Sequence, residues 1–272
     1  MRAPVRVCYS VKWRESGVEI MRKLCTSYIQ RHLGQTACVF EEISSTNAVL
    51  KEYARQGAPA FTCVIAAAQS AGRGRGDHTF YSPAGTGIYL SVLLRPERGF
   101  SPADITATAA VAACEAIEEL TGVAAEIKWL NDIYVNGKKV AGILAECFFE
   151  ADAPTVVLGI GVNLLPPTNG FPQEIAHRAG AVLEKSRQRF LRERMAIGFF
   201  HRLEAHLRHA PNVYAAYRQR SFLLGKCVTW EGKTATVRDI LPDFRLDLEL
   251  ADGTHRYLDS GEVSLSVDKI VQ

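Results

Sequence analysis

The dipeptide Asn136-Gly137 constrains this chain most, because it sits in "AEIKWLNDIYVNGKKVAGILAECFF" between two runs that alternate apolar and polar residues. Asn-Gly accepts the positive φ that a two-residue hairpin turn demands at both central positions, so the chain must double back here into antiparallel strands. A lone hairpin cannot bury its apolar face and needs partners. "FTCVIAAAQ" (61 to 69), "GIYLSVLLRP" (87 to 96) and "TVVLGIGVNLL" (155 to 165) supply them as apolar runs of strand length.

Helical signals alternate with these strands. "SSTNAVLKEYARQG" offers Ser45 or Thr46 as an N-cap and ends near Gly57, with Pro59 following. "SPADITATAAVAACEAIEELTG" opens on Ser-Pro-x-Asp and closes on Gly122, which marks a long helix, and from Ser186 to about Tyr217 the pattern is helical again with a charged face. The expected class is α+β, a mixed sheet flanked by helices. After Gly225 come "KCVTWEGKTATVRDIL", "RLDLELADGTHRYLD" and "EVSLSV", short strands broken by Glu-Gly, Asp-Gly and Ser-Gly turns, which predict a small barrel-like β module.

Composition excludes several classes. With 32 Lys+Arg against 29 Asp+Glu the formal net charge is +3, too small a bias for bulk nucleic-acid binding, so any anion site must be local. No apolar run approaches the roughly 18 residues that span a bilayer. The seven cysteines are scattered without a C-x-x-C pair, which reads as reduced thiols inside a cell. The first forty residues carry Arg2, Arg6, Lys12, Arg14, Arg22, Lys23 and Arg31 against Glu15 and Glu19, a pattern that suits an organellar leader or an accessory helix packed on the domain.

Several motifs bear on chemistry. Gly72-Arg73-Gly74-Arg75-Gly76 has its glycines two apart and leads into a strand, so it is not a dinucleotide fingerprint. Gly232-Lys233-Thr234 lacks the first glycine of a phosphate-binding P-loop, because position 227 is Cys. The Gly-Arg loop itself has two readings: bare backbone N–H groups and two fixed guanidinium donors that clamp an anion, or a solvated basic loop. Across the hairpin, Lys128-Trp129-Leu130-Asn131-Asp132 faces Lys138-Lys139-Val140-Ala141-Gly142, so a lysine and a carboxylate can share a pocket, where the lysine would neutralise a carboxylate or phosphate charge. Exposed hairpin lysines are the plainer alternative. His201, His206 and His209 on the last long helix lack further ligands and read as surface or packing residues. There is no G-x-S-x-G elbow, and nothing selects one cysteine as a nucleophile.

Taken in order, Ser45-Thr46-Asn47, Gln69-Ser70-Ala71-Gly72-Arg73-Gly74-Arg75, Lys128-Trp129-x-Asn131-Asp132, Lys139-x-x-Gly142 and Gly159-x-Gly161-x-Asn163 resemble the biotin protein ligase family over residues 40 to 165. The resemblance implies a mixed-sheet catalytic domain of the class II synthetase kind, shared with lipoate ligases, over 39–222. It further implies an SH3-like β-barrel over 223–272 and an N-terminal extension over 1–38. The implied reaction has two steps: biotin and MgATP give biotinoyl-adenylate and pyrophosphate, and a lysine of a biotin carboxyl carrier domain then attacks the mixed anhydride.

By the same resemblance Ser45, Thr46 and Gln69 hydrogen-bond the ureido ring of biotin, with Asn47 beside them, and Arg73, Gly74 and Arg75 line the biotin and phosphate region. Lys139 meets the biotin carboxylate and the adenylate phosphate, and Gly142, three residues on, belongs to the biotin-binding set. Asp132 and Lys128 match a charged pair near the phosphates and Asn163 an adenine contact, with Asn131 on the nucleotide side and magnesium carried mainly by the ATP phosphates. The loop departs from the family pattern at Asp77 and at Phe80, which stands at a Trp position; Leu130 stands at a Pro position. About forty residues precede the Ser-Thr-Asn motif, too few for the winged helix of DNA-binding members, so neither DNA nor membrane is an expected partner. The compartment is cytosolic by default, or mitochondrial if the basic segment is a leader, and homodimerisation stays open. The competing functions are lipoate or octanoate ligation and a biotin-binding protein that has lost catalysis.

Overall fold

A computed structural model describes residues 23–76, 78–150, 153–209, 212–261 and 263–265 of the chain. The leader reading of the first 22 residues and the Asp77 substitution therefore fall outside the described residues. The first part of the chain runs α1 (Thr26–Leu33), β1 (Ala37–Ile43), α2 (Thr46–Arg55), β2 (Cys63–Gln69), β3 (Gly87–Leu94) and α3 (Pro102–Thr121). β4 (Glu126–Lys128), β5 (Asp132–Val135), β6 (Lys138–Glu150) and β7 (Ala153–Asn163) follow, then α4 (Gln173–Ala176), α5 (Leu191–His209) and α6 (Val213–Arg220). β8 (Cys227–Trp230), β9 (Lys233–Ile240), β10 (Leu246–Leu250), β11 (His255–Leu258) and β12 (Ser264–Leu265) complete the described elements.

β1 to β7 form one seven-stranded sheet in the order β1-β2-β3-β7-β6-β5-β4, mixed because β1 and β2 pair in parallel and every other pair is antiparallel. Its central strands are apolar on both faces, and the period of two divides their side chains. Ile65, Leu90, Leu158 and Ile160 belong to the main core with α3 and α5, whereas Val64, Leu93 and Val157 pack with Leu50 and Ala54 of α2 on the opposite face. Six alanines of α3 are at most 3% exposed, and these small side chains let the helix lie close between the sheet and α5.

Local rules explain the element ends. Asn136 and Gly137 take φ of 50° and 71° between β5 and β6, as the hairpin demands. α3 begins with the Ser101 side chain as cap and Pro102 in its first turn, and ends on Gly122 in the left-handed conformation. The helical stretch expected from Ser186 to Tyr217 is two helices, α5 and α6, and β1 is an edge strand whose mixed pattern gave no sequence signal.

α1 packs on α5 and β1. Cys25 N donates to Glu193 Oε1 at 2.8 Å and Arg192 Nη2 donates to the Lys23 carbonyl at 3.0 Å, from residues only 5% and 7% exposed. The described part of the 1–38 segment thus covers a buried ionic layer. His206 Nε2 lies 2.8 Å from Glu115 Oε2, a helix-to-helix packing contact.

β8 to β12 form a second, five-stranded antiparallel sheet in the order β11-β10-β9-β8-β12. Trp129 Nε1 donates to the Phe244 carbonyl at 2.7 Å, Tyr214 OH donates to the Ile240 carbonyl at 2.9 Å, and Tyr217 packs edge-on against Phe244. These buried donors, each satisfied across the junction, fasten the second sheet beside the Lys-Trp motif of the first. Among the described residues no helix is long and apolar enough to cross a membrane.

Candidate active site

On the sheet face that carries α2 lies a cavity of about 930 Å³. Its floor is made by alternate residues of the hairpin strands: Gly142 and Leu144 of β6 opposite Gly161 and Gly159 of β7. Two of these glycines make room for neighbours. A Cβ on Gly159 would collide with the Asn47 amide, and one on Gly161 with the Phe80 ring, which also lies against Gly142. The glycine spacing seen in sequence is thus the imprint of two side chains from elsewhere in the chain.

One end of the cavity is lined by buried neutral side chains. Ser45, Thr46 and Asn47 open α2, each only 4% exposed, with the Ser45 hydroxyl accepting from Ala48 N. Thr46 N and Thr46 Oγ1 reach Gln69 Oε1 at 2.8 and 3.1 Å, and Gln69 Nε2 donates to Ser82 Oγ at 3.0 Å. Asn47 Nδ2 donates to Glu146 Oε2 at 2.8 Å. Fully buried Ser91 joins these groups, its Oγ 2.7 Å from Thr46 Oγ1 and 2.5 Å from Asn47 Oδ1. Burial by itself pushes the Glu146 carboxyl up, but hydrogen bonds from Lys51 and Asn47 and the charges of Lys51 and Arg73 outweigh it and hold the group below its ordinary value.

The other end is cationic. Lys139 Nζ and Asp132 Oδ1 meet at 2.6 Å, with Asp132 paired to Gly142 in the strand register. Asp132 Oδ1 has no hydrogen bond of acceptable angle, so the pair is a charge contact. Arg75 Nη1 donates to Asn131 Oδ1 at 3.2 Å, and Asn131 is itself locked to Ile143 by two bonds of 2.9 Å. Lys128 lines the same end. Arg73 Nη1 reaches Glu146 Oε1 at 3.8 Å. The Gly-Arg loop folds back on itself: Gly74 N donates to the His78 carbonyl at 2.7 Å, Phe80 N to the Gly72 carbonyl at 2.9 Å, and Arg73 pairs with Thr79.

A strap of residues 178–183 borders the cationic end. Lys139 N donates to the Arg178 carbonyl and Gly180 N to the Lys139 carbonyl, both at 2.8 Å, and Asn163 Nδ2 donates to the Gly180 carbonyl at 3.2 Å. Every site residue read from the sequence lines this one cavity: Ser45, Thr46, Asn47, Gln69, Arg73, Gly74, Arg75, Lys128, Asn131, Asp132, Lys139, Gly142 and Asn163. Sequence reasoning did not single out Ser91, Glu146, Lys51, the strap or Val263–Leu265 of the second sheet. Glu146 had a signal, since 142, 144 and 146 share one strand face, and Lys51 lies one helical turn after Asn47.

Among the described residues no cysteine lines the cavity, and burial together with the neighbouring Cys38 pushes the Cys63 thiol up to about 12, far from a reactive thiolate. Among the described residues no group of three or more His, Cys, Asp or Glu is placed to hold a metal, and Asp132 is the one carboxylate in the lining.

The Biotin/lipoate A/B protein ligase family matches residues 39–163, which span both ends of the cavity. Over 233 residues the chain is 34% identical to the biotin–acetyl-CoA-carboxylase ligase of Mycobacterium tuberculosis, covering 79% of this chain and 84% of that one. The chain belongs to the biotin protein ligase family. The bifunctional ligase/repressor BirA of Bacillus subtilis is 41% identical over 145 residues, 53% of this chain and 45% of BirA, so the chain matches under half the length of that relative. Among solved structures, the biotin protein ligase of Aquifex aeolicus in complex with biotin and ATP shares the fold with a TM-score of 0.70 at 26% identity, over 85% of this chain and 99% of that one.

Proposed function

We propose that this chain is an ATP-dependent biotin ligase that activates biotin as biotinoyl-5'-AMP and transfers it to a lysine of a biotin carboxyl carrier domain. The observation that carries the reading is the polarity of the cavity: a neutral hydrogen-bonding end and a cationic end on one floor. A carboxylate and a triphosphate repel each other, so a ligase must hold both against fixed positive charge before they react. Lys139, Arg75 and Lys128 supply that charge, while the Thr46–Gln69 end takes the uncharged ureido ring.

In the first step a biotin carboxylate oxygen attacks the α-phosphorus of ATP, the bond to the β-phosphate breaks, and pyrophosphate leaves with the electron pair. Lys139 is the residue that meets both the carboxylate and the phosphate, with Asp132 holding its ammonium in place. Magnesium rides on the triphosphate, because Asp132 is the one carboxylate that the described lining offers it. Asn163 and the strap border the adenine end, and Gly142 leaves room for the Lys139 side chain and the Phe80 ring to lie over the floor. Arg73, Gly74 and Arg75 close over the adenylate and keep water from the anhydride. In the second step the neutral carrier-lysine amine attacks the acyl carbon, AMP leaves, and the amine gives up a proton to solvent.

A carrier domain of a biotin-dependent carboxylase incubated with the protein, biotin and MgATP tests the proposal. A mass gain of one biotinoyl group on one lysine, with biotinoyl-AMP trapped when the carrier is omitted, is the expected result; neither product forms if the reading is wrong.

A further inference from the structure

Glu146 stands behind the neutral end of the cavity, and no step of the reaction uses it. Its partners come from two other segments: Lys51 Nζ at 2.5 Å and Asn47 Nδ2 at 2.8 Å from α2, and Arg73 Nη1 at 3.8 Å from the Gly-Arg loop. An ionised carboxylate only accepts hydrogen bonds, so Asn47 has to turn its NH2 group toward Glu146. Its carbonyl oxygen then faces Ser91 Oγ, 2.5 Å away. That oxygen also only accepts, so Ser91 spends its single proton on Asn47.

The constraint passes on to Thr46. Thr46 Oγ1 has two protein neighbours, Ser91 Oγ at 2.7 Å and Gln69 Oε1 at 3.1 Å. Ser91 has no proton left to give, and Gln69 Oε1 is an acceptor that already receives Thr46 N–H at 2.8 Å. Whichever of the two it chooses, Thr46 sends its proton into the wall. What Thr46 presents to the cavity is a lone pair.

We propose that Glu146 is a positioning residue that sets the direction of this hydrogen-bond chain, making the Thr46 end of the cavity an acceptor selective for a ligand N–H. Resting on the biotin-ligase reading, that donor is a ring N–H of the cyclic urea of biotin. The register agrees: the Gly142–Gly161 pair carries Phe80 and the Lys139 ammonium, and the Leu144–Gly159 pair, beside Asn47, lies two residues further along the strands. Two residues are about 7 Å, a span that separates the ring of a ligand from a carboxylate drawn to Lys139. Lys51 and Arg73 keep Glu146 ionised and hence the chain polarised. Without the charge only the 3.4 Å bond from Asn47 Nδ2 to the Leu144 carbonyl holds the amide, Ser91 can donate to Thr46, and Gln69 Oε1 is left as the one wall acceptor for the Thr46 proton.

The test is calorimetric titration of the full chain, without ATP, with biotin and with an analogue in which one ring N–H is replaced by oxygen. The wild type is expected to prefer biotin by about tenfold, the worth of one good hydrogen bond. Glu146→Gln is expected to bind biotin about tenfold more weakly and to lose most of that preference. Ser91→Ala, which leaves Glu146 in place and Gln69 Oε1 as the one wall acceptor for the Thr46 proton, should weaken the preference in the same direction, so the proposal does not depend on one variant folding. Variants that melt cooperatively and keep the wild-type preference overturn the proposal while the ligase reading stands. A wild-type protein that neither binds biotin nor supports biotin-dependent pyrophosphate exchange removes the reading and the proposal together.

Discussion

The two ends of the cavity differ in how much of their structure exists before a ligand arrives. At the neutral end Thr46 and Asn47 are 4% exposed and Ser91 fully buried, and the side chains of Thr46, Asn47, Gln69 and Ser91 form one hydrogen-bonded chain. At the cationic end the Arg73 side chain is 59% exposed and meets Glu146 only at 3.8 Å, and the Lys139 side chain is 30% exposed. A prebuilt wall recognises a ligand without having to be ordered, which preserves affinity. Cations on a hairpin and a loop gain strength only when ligand binding expels the water around them. The difference teaches a division of labour: one end decides what binds, the other decides whether it reacts and whether the product stays.

Changes at the cationic end should therefore break chemistry before binding. Lys139→Ala is expected to lower biotin-dependent ATP–pyrophosphate exchange by at least about 100-fold, the order of loss for removing one preorganised charge-stabilising donor. Its melting temperature and its binding of biotin alone should suffer far less, and an unchanged exchange rate would reject the role. Arg75→Gly removes the side chain pinned by Asn131. The expected outcome is release of the adenylate, read as biotinylation of bystander lysines rising about tenfold, one hydrogen bond's worth of retention. Labelling confined to the carrier domain would contradict it.

Changes at the neutral end and its floor should cost binding and stability in smaller steps. Gly161→Ala drives a Cβ into the Phe80 ring, an overpacking that costs about 1–3 kcal/mol. A double-mutant cycle with Phe80→Ala should recover most of the lost melting temperature, and additive losses would show that the two residues do not compete for one space. The smallest effect is in pH. The folded-state value of Glu146 lies below its ordinary 4.5, so the stability it contributes is fully present above 4.5 and is lost as pH falls through the lower folded value. The groups that face it are Lys51 and Asn47 from α2 and Arg73 from the loop. The difference in melting temperature between wild type and Glu146→Gln should be constant from pH 7 to about 5 and shrink below that; a difference growing toward acid pH would reverse the sign.

Sequence reasoning reached the parts of this molecule that local rules determine. The Asn136-Gly137 turn, the Ser101 and Gly122 ends of α3 and the largely apolar central strands are consequences of residues within a few positions of one another. β1 escaped because an edge strand with acidic residues at 41 and 42 has no clean alternation. The strap was invisible because residues 178–183 owe their conformation to backbone bonds with Lys139, Asn163 and Leu164, not to their own pattern. The site residues were legible as a set because their motifs resemble one family, but the reason for the glycines was not. Gly159 and Gly161 are explained by Asn47 and Phe80, which lie more than eighty positions away in the chain.

ATP–pyrophosphate exchange with the purified protein and magnesium, run in parallel with biotin, lipoate and octanoate, tests the central claim most directly. A cavity whose neutral end accepts ring N–H groups and whose cationic end activates a carboxylate should give exchange with biotin alone. Exchange that follows lipoate or octanoate, which lack those N–H groups, would contradict the account, as would silence with all three acids.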